Sequence, residues 1–248
     1  MSSAEQIRGF VRYSMAKEMY SRSGAVMLSG TDAFRLGCVY IMGLNPGGDP
    51  KALGHRTTII DSVQERPGFS CYTDECWQPK CTAPIGECVH LESGRVRPDF
   101  LVKHQRNILT IAKALRLEIA DIFSANAVFA RSTSLATMKD QSGYSLAEWW
   151  ESCWPVHQRF LAIVRPKIII TLGYGATSSA FGLLHEEAGH PEWRRMGDES
   201  RRGGWALDAA LPLSDGGALD CTVVGVPHPS FMAIGPNLAE SLRDLATT

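Results

Sequence analysis

Four short stretches of this chain are apolar almost throughout: residues 37–43, Ile122–Ala130, Lys167–Leu172 and Cys221–Val226. A strand with one face in water alternates polar and apolar residues, whereas a run that is apolar at nearly every position is covered on both faces. Helical periodicity separates these runs. It places Ile7, Phe10, Val11, Met15 and Met19 on one stripe within 4–20, and Ile108, Ile111, Ala112 and Leu115 on another within 103–117. Leu146, Trp149, Trp150, Cys153 and Phe160 mark a third helix over 145–164, stopped by Pro166. A small-residue helix over Ala176–Ala188 and a closing one over Leu238–Leu245 follow the last two strands. Strands alternating with helices predict an α/β fold: three α/β/α layers around a mostly parallel four-stranded sheet. With 248 residues, no repeats and no linker composition, one domain over 1–248 is the simplest organisation. Two stretches show no period. Residues 51–100 hold four prolines and four of the seven cysteines, and are expected to be an irregular, Cys-rich surface insertion. Residues 189–219 are polar and Gly-rich.

Composition narrows the setting. The formal charge is -1, so nothing global draws the chain to nucleic acid or membrane, and any contact with DNA has to rest on a local basic patch. The first 20 residues mix charged with apolar side chains, unlike an export signal, and no apolar run approaches the length of a membrane span. An odd number of cysteines without such a signal points to free thiols in a reducing compartment. The expectation is a cytoplasmic monomer.

In open parallel sheets ligands bind at the carboxyl ends of the strands. After the first strand comes Asn45, in the tight turn Gly43-Leu44-Asn45-Pro46-Gly47; within the second sits Asn126, a polar residue in apolar company. The third is followed by Gly173 and Gly175, the fourth by Pro227-His228-Pro229-Ser230. Right-handed crossovers bring all four ends to one edge. Two amides, an imidazole and a hydroxyl can hydrogen-bond a planar heterocycle, orient a water and stabilise an anionic leaving group. No carboxylate stands out there, which argues against hydrolysis by a carboxylate pair.

These residues resemble the uracil-DNA glycosylase superfamily. Gly43-Leu44-Asn45-Pro46-Gly47 looks like its first motif, closest to the mismatch-specific and single-strand-selective monofunctional branches. His228-Pro229-Ser230 looks like its second, and the strand around Asn126 like the one whose Asn reads the uracil edge. The resemblance implies a glycosylase-like fold and a monofunctional DNA glycosylase of base excision repair. Such an enzyme hydrolyses the N-glycosidic bond of uracil or another deaminated base flipped out of DNA. It implies that Asn45 positions the attacking water, that Asn126 reads the base, and that His228 donates to the base oxygen as charge develops. Ser230 would contact a phosphate, with Phe231 or Met232 as the wedge. The aromatic stacked on the base would come from Phe69, Tyr72 or Trp77. The chain departs from the pattern where Phe231-Met232 replaces the usual Pro and wedge after Ser230. With Asn at 45 there is no general base at that position, so a slow enzyme, or one preferring another base, is expected.

Other features leave alternatives open. Cys71, Cys76, Cys81 and Cys88 fall within 18 residues, a spacing compatible with zinc or an iron–sulfur cluster as well as with loop and core thiols; the reaction itself requires no cofactor. His185 and His190 are five apart, which puts them on different sides of a helix and fails the zincin pattern. Gly173-Tyr174-Gly175 is a partial dinucleotide-binding motif, so a nucleotide-binding α/β enzyme is one alternative. A non-catalytic nucleic-acid-binding relative of the same fold is another. Arg194, Arg195, Arg201 and Arg202 form the densest cationic cluster and are the candidate phosphate grip.

Overall fold

The computed structural model describes residues 1–37, 39–52, 55–78, 88, 90–197 and 203–247. In chain order its helices and strands are α1 (Ser3–Ser14), α2 (Lys17–Tyr20), β1 (Val39–Gly43), the single turn α3 (Cys71–Asp74), the two-residue strands β2 (Leu91–Glu92) and β3 (Arg95–Val96), α4 (Lys103–Ala114), β4 (Phe123–Asn126), α5 (Leu135–Ser142), α6 (Leu146–Val164), β5 (Ile168–Leu172), α7 (Ala180–Glu187), β6 (Arg194–Met196), β7 (Gly204–Pro212), β8 (Ala218–Val226) and α8 (Pro236–Thr247).

The main sheet has six strands, ordered β4-β1-β5-β8-β7-β6. Its first four are the four apolar runs, and they pair in parallel. The expected four-stranded sheet is therefore enlarged by β7 and β6, which continue it antiparallel. Both arise from the stretch that has no apolar run. In β7 Leu207, Ala209 and Leu211 are buried while Asp208 and Ala210 are exposed, and its Gly, Ala and Asp are poor strand formers. Pairing with β8 over eight residues overrides that local preference.

Helices cover both faces. Tyr40, Met42, Phe123 and Ala125 pack with Ile7 of α1, Phe160 of α6 and Phe181 of α7. On the opposite face Val39, Ile41, Ile170 and Leu172 pack with Ile108 and Ile111 of α4 and Leu238 and Leu242 of α8. Successive residues of β1 and β5 divide between the two cores, as the period of a strand requires. The helix expected over 4–20 breaks at Met15, whose backbone is extended. That expected from Ala176 starts only at Ala180, because the Ser179 hydroxyl accepts from Gly182 N at 3.2 Å and caps it there. The helix α5 has a single large buried side chain, Met138, and shows no apolar stripe in the sequence.

The described residues of 51–100 are sparse in regular structure as expected, but they are not only a surface excursion. Ile59 and Val63 enter one core, and Cys71 and Tyr72 the other, so they strap the edge of the domain from face to face. No helix among the described residues is long and apolar enough to cross a membrane.

A reciprocal box starts α6: Glu148 N donates to the Ser145 hydroxyl, and Ser145 N to the Glu148 carboxylate at 2.8 Å. Further along, His157 is wholly buried between α6 and the sheet. A carbonyl can only accept, so its Nε2–H donates to Ala127 O at 2.8 Å, and its Nδ1 accepts from the Tyr40 hydroxyl at 2.9 Å. Burial pushes its pKa down to about 4. The folded state then binds fewer protons than the unfolded one, whose imidazole titrates near 6.5. Stability is complete above that value and is lost as pH falls toward 4, by on the order of 3 kcal/mol. Urea unfolding between pH 7 and 4 should show this loss in the wild type and a shallower one in His157→Gln. Equal slopes would show that His157 does not carry the dependence.

Candidate active site

The four parallel strands end level. Gly43 pairs with Asn126, Met42 with Thr171, and Leu172 with Val226. The order reverses between β1 and β5, since the chain goes from β1 to β4 on one side and then crosses to β5 and β8 on the other. A crevice at such a switch point is where α/β sheets bind ligands. Asn45, Asn126, Gly173 and His228 all stand at this edge, as expected from the sequence.

Asn45 is held by its turn. Its Nδ2 donates to Pro46 O and to the Ser132 hydroxyl, both at 3.0 Å. The Pro46 carbonyl accepts only, which fixes the amide with nitrogen toward the protein and leaves Oδ1 outside these bonds. Ser132 is itself buried and bridges to Gly47, so the turn is laced to the segment that follows β4.

Asn126 is 3% exposed, yet its Nδ2 has no hydrogen-bond partner among the described residues. A buried, unpaired amide donor costs about 1–3 kcal/mol, and natural folds retain few of them. Its Oδ1 lies only 2.8 Å from where a Cβ on Gly43 would stand, so the missing side chain at 43 is what makes room for this amide. Gly43→Ala should therefore displace Asn126. It is expected to cost about 1–3 kcal/mol, as overpacking does. Thermal melts check this, and a variant that melts like the wild type would contradict it.

His228 begins a tight turn. Phe231 N and Met232 N both bond to His228 O, and Ser230 N donates to His228 Nδ1 at 3.3 Å. Since that backbone N–H can only donate, the neutral ring carries its proton on Nε2. Burial lowers the His228 pKa, which favours the neutral form at pH 7. Helix α4 grips this turn from beside it. Asn107 Nδ2 donates to Pro229 O at 2.6 Å and Met232 O at 3.1 Å, Lys103 Nζ donates to Phe231 O, and His104 Nδ1 meets the Ser230 hydroxyl at 3.0 Å. His104 lies 5.6 Å from His228, ring to ring, and its own pKa falls to about 4, through burial first and the neighbouring His228 second. These α4 residues were not singled out from the sequence. Their signal was faint: polar Lys103, His104 and Asn107 fall on one side of an otherwise ordinary amphipathic helix.

The candidate aromatics divide. Tyr72 is fully buried, with His104 stacked 6.4 Å away, so neither of its faces is open to a base. Phe69 is half-buried and capped by the Arg66 guanidinium at 4.4 Å. Trp77 is also half-buried, with its ring edge-on to His104 at 5.5 Å. Phe231 is 73% exposed beside His228, and Ser230 is exposed on the same turn. Met232 is half-buried. A carboxylate unforeseen from the sequence, Glu75, is half-buried on the same wall, with the Arg66 guanidinium 3.9 Å from its carboxylate. Its pKa is raised by desolvation, and its Oε2 accepts from Trp77 Nε1 at 3.3 Å.

The arginine cluster is partly engaged. Arg194 forms a two-pronged pair with Asp208, at 2.6 and 3.0 Å, and Arg195 lies over the Trp205 ring at 4.9 Å. Arg201 and Arg202 lie outside the described residues. Of the four cysteines, Cys71 is buried in the core under β1, while Cys76 and Cys88 come together with His90; Cys81 lies outside the described residues. No known family model matches the chain, and no curated protein sequence matches it.

Proposed function

We propose that the chain is a monofunctional DNA glycosylase that removes uracil or another deaminated base, hydrolysing the N-glycosidic bond in base excision repair. The observation that carries this reading is the buried Asn126 amide, whose Nδ2 is unpaired among the described residues, at the level ends of four parallel strands. An amide offers a donor and an acceptor side by side. The Watson–Crick edge of uracil offers a carbonyl and an adjacent N–H, the complement of that pair. Cytosine presents the reverse order, an amino donor and a bare ring nitrogen, so an amide held one way round distinguishes the two. A base reaches such a pocket only when turned out of the stack, and exposed Phe231 is placed to fill the space it leaves.

In this reading Asn45 Oδ1 accepts a hydrogen bond from the attacking water and aims it at the sugar carbon. His228 Nε2–H donates to the base oxygen as negative charge develops on the departing base. The Lys103 amine at this turn donates to the Phe231 carbonyl, which fits hydrolysis to an abasic site without strand cleavage. Purified protein is incubated with oligonucleotides carrying uracil, hypoxanthine or xanthine, in single and double strands, and then treated with hot alkali. Strand breaks at the modified base only after alkali are expected. Intact strands for every substrate would overturn the reading.

A further inference from the structure

We propose that Cys76, Cys88 and His90 bind one zinc ion, and that this ion pins the β2–β3 hairpin to the wall of the site. The Sγ atoms of Cys76 and Cys88 each lie 3.4 Å from His90 Nδ1, and the three donor atoms all fall within 4.8 Å of one another. Tetrahedral zinc, with bonds of about 2.3 Å to sulfur and about 2.0–2.1 Å to nitrogen, sets S and N about 3.5 Å apart. A hydrogen-bond account is weaker. The imidazole nitrogen has one in-plane lone pair, which two thiols cannot both address in line. Two thiolates and a neutral imidazole suit zinc and not the hard oxygen-seeking cations.

The backbone around the ligands is ordered for the task. Leu91 N donates to Cys88 O at 2.9 Å, closing a turn that presents Cys88 and His90 on one side. Arg97 N donates to His90 O at 2.9 Å, and the His90 ring packs on Phe100 at 4.4 Å. The strands β2 and β3 have two residues each, and an isolated hairpin of that size is unstable in water. A metal joining it to Cys76 supplies what the hairpin lacks. Cys76 itself stands between Glu75, whose carbonyl accepts from Gln105 Nε2 of α4 at 2.8 Å, and Trp77, whose ring meets His104. Loss of the ion therefore loosens the wall against which α4 holds the His228 turn.

The test is elemental analysis of the full chain purified without chelator, then stripped and reloaded with zinc. One zinc per chain is expected. Cys88→Ser and His90→Ala should each weaken zinc binding by at least about 100-fold, more than the loss of an outer partner costs, while Cys71→Ala keeps full occupancy. Should a variant fail to fold, the wild type reloaded with cobalt(II) decides the matter. Visible bands of a tetrahedral ion with thiolate charge transfer support the site, and a purely octahedral spectrum refutes it. Full zinc occupancy in Cys88→Ser and His90→Ala overturns the assignment, as does a brown protein carrying iron and inorganic sulfide. None of these readings depends on excision activity.

Discussion

Asn45→Ala is expected to lower the single-turnover excision rate by on the order of 10²-fold, the scale of a reacting group left unaligned, while affinity for uracil-containing DNA stays nearly unchanged. The reason lies in how the side chain is spent. Nδ2 is tied to Pro46 O and the Ser132 hydroxyl, so the side chain does not swing, and the oxygen that remains is an acceptor at a fixed place. An acceptor that aims a water contributes in the transition state and little to the bound ground state. Asn45→Asp sharpens the test. It keeps the shape and gives a stronger acceptor, but it loses the donor that locks the turn and places a carboxylate oxygen against the Pro46 carbonyl. Ser132→Ala keeps the Asn45 amide and removes one of its anchors, so it should give a smaller loss in the same direction. Equal losses of binding and turnover in Asn45→Ala would assign the residue to DNA binding and not to the chemistry.

The parallel half of the sheet was legible because burial on both faces leaves a plain mark: a run such as Ile168–Leu172 has no polar side to show. The antiparallel extension was not legible, because β7 draws its stability from pairing with β8 and from Leu207, Ala209 and Leu211 spaced among Asp and Ala. The strand ends were legible for the same reason as the strands, so Asn45, Asn126 and His228 could be placed on one edge. What surrounds them could not. His104 and Asn107 act through contacts with residues more than 120 positions away, and nothing local in α4 announces such partners. Tyr72 shows the converse error. An aromatic in an irregular, proline-rich segment looks available, yet its neighbours fold it into the core. The cysteines were legible only as a cluster. Their spacing left metal ligands and core or loop thiols open, and the fold buries Cys71 and sets Cys76 and Cys88 beside His90, a neighbour that spacing among cysteines cannot reveal.

His228→Ala is expected to reduce single-turnover excision by on the order of 10²–10³-fold, the cost of losing one donor to a developing oxyanion. Bond breaking leaves negative charge on the base and positive charge on the sugar, so a donor helps to the extent that it strengthens as the charge grows. The geometry supplies such a donor in neutral form. Ser230 N–H occupies Nδ1, which places the proton on Nε2, and Asn107 ties down the backbone of the turn from α4. Neutrality also sets the pH dependence. Burial lowers the His228 pKa, and His104 beside it titrates at about 4, so neither ring needs to gain a proton for activity near pH 7. The rate should therefore not decline as pH rises through 6.5, where a mechanism requiring imidazolium would fade. His228→Gln retains a neutral N–H donor without the ring, and should recover part of what alanine loses if its amide reaches the same point. Asn107→Ala frees the turn but leaves His228 in place, and should lower the rate less than His228→Ala with no change in the pH profile. A rate that falls steeply above pH 6.5 would show that the charged ring, not the neutral one, does the work. An unchanged rate in His228→Ala with uracil excision intact would remove the histidine from the mechanism altogether.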